Sequence, residues 1–118
     1  MPSVVIPVQE LIRVCKEEEV DHILVDGAHA IGSLRVDVNE IDADFYVSNL
    51  YKWLFSPPYV AFMYCNKKLK DVHHPVVAHE SGKGFPAESA WVGMRYYSPQ
   101  LVVPTILEFV NRFEGGIE

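Results

Sequence analysis

The 118-residue chain has no apolar run of about 18 residues, the length that a membrane-spanning helix needs. It does not open with a basic segment followed by an apolar one either, so neither a membrane span nor a secretory signal is expected. Cysteine is scarce. Cys15 and Cys65 stand far apart and outside any C-x-x-C pattern, which excludes a disulfide framework and a thiolate zinc site. A reducing, intracellular setting follows: cytoplasmic, with an organelle left open because the true N-terminus could lie upstream. Basic residues are outnumbered, with 10 Lys and Arg against 16 Asp and Glu, and the net charge of −6 argues against nucleic acid or an anionic membrane as main partner. No internal repeat, low-complexity tract or linker is present.

A hydrophobic fraction of 49% with 22% charged residues gives enough apolar surface for one domain with a modest core, so disorder is excluded. Val8, Leu11, Ile12 and Cys15 recur at helical spacing, with Pro7 suited to a first turn, and predict an amphipathic helix from Pro7 to Glu18. Val20 to Asp26 follows after a short connection and reads as a buried parallel strand. Residues 27–32 form a glycine-bounded loop. Val36 to Ile41 suggests a short turn or strand edge, Asp44 to Ser48 a second buried strand, and Tyr59 to Cys65 the clearest strand by composition. Asn66 to Lys70 is a solvated basic patch on a short helix, and Pro75 to Val92 an irregular excursion. Val102, Ile106, Phe109, Val110 and Phe113 then share one helical face, with Pro104 in the first turn and Gly115-Gly116 as the stop.

Strands alternating with helices, without clear hairpin signals, favour an α/β fold with a mixed or mostly parallel sheet and flanking helices. So few elements would leave one sheet face poorly covered. The opening MPSVVIPV also reads as the middle of a longer run, so the chain is expected to be part of a larger domain or an obligate subunit.

Asp26 follows the strand run His22-Ile23-Leu24-Val25 and stands at its carboxyl end, where ligands bind in α/β sheets; taken alone it could equally be a turn residue before Gly27. Lys52 could be a surface lysine, but Tyr51, Trp53, Leu54 and Phe55 would wall it from water and make it a better nucleophile. An acid and a lysine at neighbouring strand ends suit pyridoxal phosphate. That cofactor needs a lysine for its aldehyde and a carboxylate to keep its pyridine nitrogen protonated. His29 could donate to the ring oxygen, and Ser48 and Asn49 could meet the phosphate.

The runs VDGAHAIG, DADFYVSNLYKWLFSPPYVAFMYCNKKL and SAWVGMRYYSPQLVVPTILEFVNRFEGGIE resemble the middle of class V, fold-type I pyridoxal-phosphate enzymes. Within these, the resemblance is to the isopenicillin-N-epimerase-like and plant L-cysteine desulfhydrase-like subgroup. The D-x-x-H and S-N-x-x-K-W segments, in register, carry it. The resemblance implies a partial three-layer large domain of a homodimeric enzyme. Asp26 would hold the pyridinium, His29 the ring oxygen and Lys52 the Schiff base, with Asn49 at a phosphate position. Tyr51 stands where many members have His, and can still donate a hydrogen bond. Gly93-Met94-Arg95-Tyr96 resembles a G-T-R-D motif whose threonine reaches the partner subunit's phosphate, a contact that Met94 cannot make. The cofactor loop is expected upstream of this chain and the small domain with a carboxylate-binding arginine downstream.

The implied reaction is β-elimination from L-cysteine to pyruvate, ammonia and sulfide. The alternatives are a pyridoxal-phosphate epimerase, a cysteine desulfurase, and a non-catalytic remnant or structural partner of a complete subunit. His73, His74 and His79 lack matching metal ligands and read as polar surface. Cys15 and Cys65 read as core, and Trp91, Tyr96 and Tyr97 as packing or interface aromatics.

Overall fold

A computed structural model describes residues 4–69, 75–76, 79–91 and 93–113. Helix α1, Val8–Glu17, forms where the helical spacing places it, with Arg13 paired to Glu17 at i,i+4. Glu19 then adopts a left-handed φ of 54°, and the Val20 N–H closes back on the Cys15 carbonyl at 3.0 Å.

That closure shortens the strand expected from Val20. Residues 20–23 serve as a connection, and β1 spans only Leu24–Asp26. The Ile23 N–H is taken by the Asp44 carboxylate at 2.8 Å rather than by a neighbouring strand. Nor is β1 fully buried: Leu24 is 59% exposed and Asp26 is exposed, with Val25 facing inward. The expectation of a buried strand is corrected to a strand covered on one side.

Of the short turn and the strand edge expected for Val36 to Ile41, the structure has the turn. Val38–Ile41 makes a single helical turn, α2, because the Asp37 carboxylate accepts the N–H groups of Asn39 (2.8 Å) and Glu40 (3.4 Å). These two donors, Asn39 first, hold the Asp37 carboxyl below the usual carboxylate range; Lys16 does the same for Asp42 through an ion pair.

Strand β2, Phe45–Asn49, runs directly into the short helix α3, Leu50–Trp53, and β3 follows at Ala61–Cys65. The sheet order is β1-β2-β3, with β1 and β2 parallel and β2 and β3 antiparallel. The mixed sheet expected from the sequence is therefore present. Tyr59 takes a φ of 73° and lies outside β3, which starts two residues later than composition suggests.

Ile12, Ile23 and Ala43 form a core cluster between α1 and the sheet, with Cys15, Val25 and Ile41 packed around it. Cys15 thus belongs to the core, as expected. Cys65 is half-buried at the end of β3, and burial first, then the Asp44 charge, push its thiol up; both disfavour a nucleophilic thiolate.

The Lys67–Leu69 turn is a short 3₁₀ helix. The excursion from 75 to 92 contains one helix that composition hid: α4, Phe85–Ala90, starts at Gly84 with Pro86 in its first turn, where a missing N–H costs nothing. Residues 98–110 form two pieces, α5 (Ser98–Leu101) and α6 (Val103–Val110), with Pro104 in the first turn of α6. Of its apolar face only Val110 is buried, while Phe109 and Phe113 meet edge-on at the surface. Trp91, Tyr96 and Tyr97 are exposed as well, so the packing role expected of them does not arise within this chain. Gly115 and Gly116, His73 and His74 lie outside the described residues, and His79 is exposed. Among the described residues no helix is long and apolar enough to cross a membrane.

Ile12→Ala empties the centre of the small core and is expected to cost about 2–5 kcal/mol in urea unfolding. The lowered carboxyls of Asp37 and Asp42 contribute stability that is present above the ordinary carboxylate range and lost as pH falls through their lowered native values. Circular dichroism should accordingly show helix loss beginning below about pH 4.

Candidate functional site

Because β1 and β2 are parallel, their carboxyl ends lie at one edge of the sheet. Asp26 pairs with Val47, and Ser48 and Asn49 carry β2 two residues further before α3 begins. The Asp26 Oδ1 accepts the Ala28 N–H at 3.0 Å, so the exposed carboxylate is tied into the turn that it starts. Gly27 continues the ladder by donating to the Val47 carbonyl at 2.8 Å.

Ser48, expected at a phosphate, is 2% exposed, and its hydroxyl donates to the Gly27 carbonyl at 2.7 Å. Tyr46, on the same buried face of β2, puts its hydroxyl where a Cβ on Gly27 would stand, with Cε2 2.8 Å from that position. Its buried oxygen has no hydrogen-bond partner, and burial, then the charge of Asp26, push the phenol up, so it keeps its proton.

Trp53 is the partner that sequence reasoning missed for His29. Its indole N–H donates to the His29 Nδ1 at 3.4 Å, with the rings edge-on at 6.4 Å and 62°. In the tautomer that accepts this bond at Nδ1, the proton stands on Nε2, which is then left to donate. Gly32, at a φ of +82°, lets the loop approach α3: an added Cβ would stand 2.9 Å from the Trp53 carbonyl carbon and oxygen. Two contacts therefore join the loop after Asp26 to the helix that carries Lys52.

Lys52 is half-buried. Tyr51, Trp53 and Phe55 are all exposed, Phe55 to 69%, and of the residues expected to wall off the lysine only Leu54 is buried. Asn49 ends β2 and makes no capping bond to α3 through its side chain. Met94, 98% exposed, sits in a turn where Tyr97 donates to the Gly93 carbonyl at 3.2 Å.

A cleft of about 580 Å³ runs along this edge, and Asp26, Gly27 and His29 line it with Val25, Tyr46 and Arg35. Ser48, Asn49, Tyr51 and Lys52 are not among its lining residues, so the cleft gathers the acid and the imidazole without the lysine. Arg35 is bound in a two-pronged pair to Glu40 at 3.0 and 3.1 Å on its rim.

Asp26 ends β1, His29 lies in the loop that follows, and Lys52 lies in the helix that continues β2, at the end of parallel strands where α/β folds bind ligands. The Aminotransferase class-V family model matches residues 3–83, and the chain belongs to that family, whose members are pyridoxal-phosphate enzymes. The mixed sheet with flanking helices is consistent with a fold-type I domain. The whole chain is 63% identical over 120 residues to an L-cysteine desulfhydrase of Arabidopsis thaliana and 62% identical over 122 residues to a probable chloroplastic L-cysteine desulfhydrase of the same plant, covering 26% of each. An isopenicillin N epimerase of Streptomyces clavuligerus is 40% identical over 64 residues, covering 52% of this chain and 15% of the relative. The chain spans about a quarter of the length of the desulfhydrases that it matches.

Trp53→Phe removes the donor that fixes the His29 tautomer. Imidazole ¹⁵N chemical shifts at neutral pH should report protonation confined to Nε2 in the unmodified chain and a mixture of tautomers in the variant.

Proposed function

We propose that this chain contributes half of a pyridoxal-phosphate site to a homodimeric enzyme that degrades L-cysteine to pyruvate, ammonia and sulfide. The observation that carries the reading is the parallel pairing of β1 with β2, which brings Asp26 and the Lys52-bearing α3 to one sheet edge. The donor set fits the cofactor. It comprises an exposed carboxylate, an imidazole whose Nδ1 accepts the Trp53 indole N–H, a side-chain amide at Asn49 and a phenol at Tyr51, beside one lysine.

Pyridoxal phosphate, when bound, supplies an electron sink for the pair left at the substrate α-carbon. Asp26 would hold the proton on the pyridine nitrogen, and His29 Nε2 would donate to the ring oxygen. Asn49 and Tyr51 would face the phosphate. Lys52 would hold the cofactor aldehyde carbon and, released by the substrate amine, take the proton from the α-carbon and return one as the β-substituent leaves. The chain would be a portion of the large domain, with the upstream cofactor loop and the downstream arginine-bearing domain supplied by the remaining three-quarters of an enzyme of the relatives' length. Likeness to the desulfhydrases favours β-elimination over the epimerase outcome that the Streptomyces relative represents, and over a cysteine desulfurase outcome, which would need a persulfide-carrying cysteine downstream of this chain.

Exposed Leu24, Phe55, Tyr96, Phe109 and Phe113 support a second reading. In it the chain is a non-catalytic piece that docks on a complete subunit through these surfaces.

Adding pyridoxal phosphate to the purified chain separates the two. A visible absorbance band that Lys52→Ala abolishes, with affinity lowered about tenfold or more by Asp26→Ala, is expected of the cofactor site. A chain that shows no lysine-dependent band fits the docking piece alone.

A further inference from the structure

Gly27, the residue directly after Asp26, is buried and is held from two sides by the inward face of β2. Ser48 donates to its carbonyl at 2.7 Å across 21 residues of sequence, and Tyr46 fills the space where a side chain on Gly27 would be. Both β2 residues are 2% exposed. On its other side Gly27 adjoins the Asp26 carboxylate and the Ala28 N–H that this carboxylate accepts.

We propose that Ser48 is a positioning residue: its buried hydroxyl, together with the Tyr46 ring, fixes the Gly27 peptide and so sets where the Asp26 carboxylate is presented. This deepens the cofactor reading above and rests on it for its consequence, since Ser48 would act on the pyridine nitrogen through Asp26 and not on the phosphate. The geometry supports the distinction. A hydroxyl has one proton, and that of Ser48 is committed to a carbonyl inside the sheet. Removing it leaves the Gly27 carbonyl to the Ala30 N–H, at 2.9 Å, and so loosens the turn that carries the Asp26 carboxylate.

The test has two arms on the full 118-residue chain. In the first, without cofactor, amide exchange at Ala28 is compared with that at Tyr46 in the sheet. Ser48→Ala should speed Ala28 exchange about three- to tenfold while leaving Tyr46 unchanged. Ser48→Cys keeps a weaker donor on a slightly larger side chain and should fall between, and it decides the matter if the alanine variant does not fold. Equal acceleration at both amides, or none at Ala28 in the cysteine variant, overturns the proposal.

In the second arm pyridoxal phosphate is the probe, and its dissociation constant is measured for Ser48→Ala or Ser48→Cys with Asp26 present and with Asp26→Ala. Weakening with Asp26 present that vanishes in the Asp26→Ala background is the expected result. The same factor in both backgrounds would mean that Ser48 acts on the phosphate or on general stability, and overturns the proposal. If the unmodified chain binds no cofactor, the cofactor reading fails while the exchange arm still decides the role of Ser48.

Discussion

The parallel pairing of β1 with β2 is the constraint on which the rest of this site depends. Parallel strands finish at the same edge, so an acid ending one and a helix continuing the other become neighbours without any further device. Here the ladder runs one residue past β1, since Gly27 still donates to the Val47 carbonyl. An antiparallel arrangement of the same two strands would have sent Asp26 and Lys52 to opposite ends of the sheet. The antiparallel β3 does not disturb this. It pairs on the far side of β2, and the residue just before it, Val60, accepts the Leu50 N–H and so anchors the start of α3.

What could be read from the residues was the chemistry and the order of elements. Helix α1 was legible because four apolar residues at helical spacing leave one solution, and the acid at a strand end was legible because Asp-Gly closes a run of apolar residues. The true extent of β1 was not. Val20 to Ile23 look like strand residues, yet the Val20 N–H is used to close α1 and the Ile23 N–H is taken by Asp44, a side chain 21 residues away. Long-range competition of this kind leaves no local trace. The same holds for Ser48, whose neighbour Asn49 and following lysine suggested a phosphate contact, while its position on the inward face of β2 sends the hydroxyl into the sheet. Alternation places Tyr46 and Ser48 on one face, but Phe45 puts a ring on the other face as well, so the pattern does not say which is the buried one.

The loop from Gly27 to Leu34 shows how two unremarkable glycines divide the work. Gly27 makes room below for the Tyr46 ring, and Gly32 makes room above for the Trp53 backbone. Between them lies His29, whose Nδ1 takes the Trp53 indole proton. The loop is thereby pressed against both strand and helix. Its imidazole is fixed in tautomer by a residue one position beyond the lysine, which couples the acid's side of the site to the lysine's side through a contact rather than through sequence proximity.

The buried hydroxyl of Tyr46 raises a question of cost. A buried donor without a partner loses about 1–3 kcal/mol relative to one that is hydrated or bonded, and phenylalanine would avoid that loss. What tyrosine adds is one oxygen of volume beside Gly27, in the space that a side chain there would take. The surrounding burial and the nearby Asp26 charge both oppose ionisation, so the oxygen acts as neutral bulk. A hydrogen bond from Ser48 above the carbonyl and a steric stop from Tyr46 below the Cα restrict different motions of one peptide, the first its rotation and the second its sinking into the core. Together they hold the residue after Asp26 more firmly than either could, and both do so from side chains that are 2% exposed.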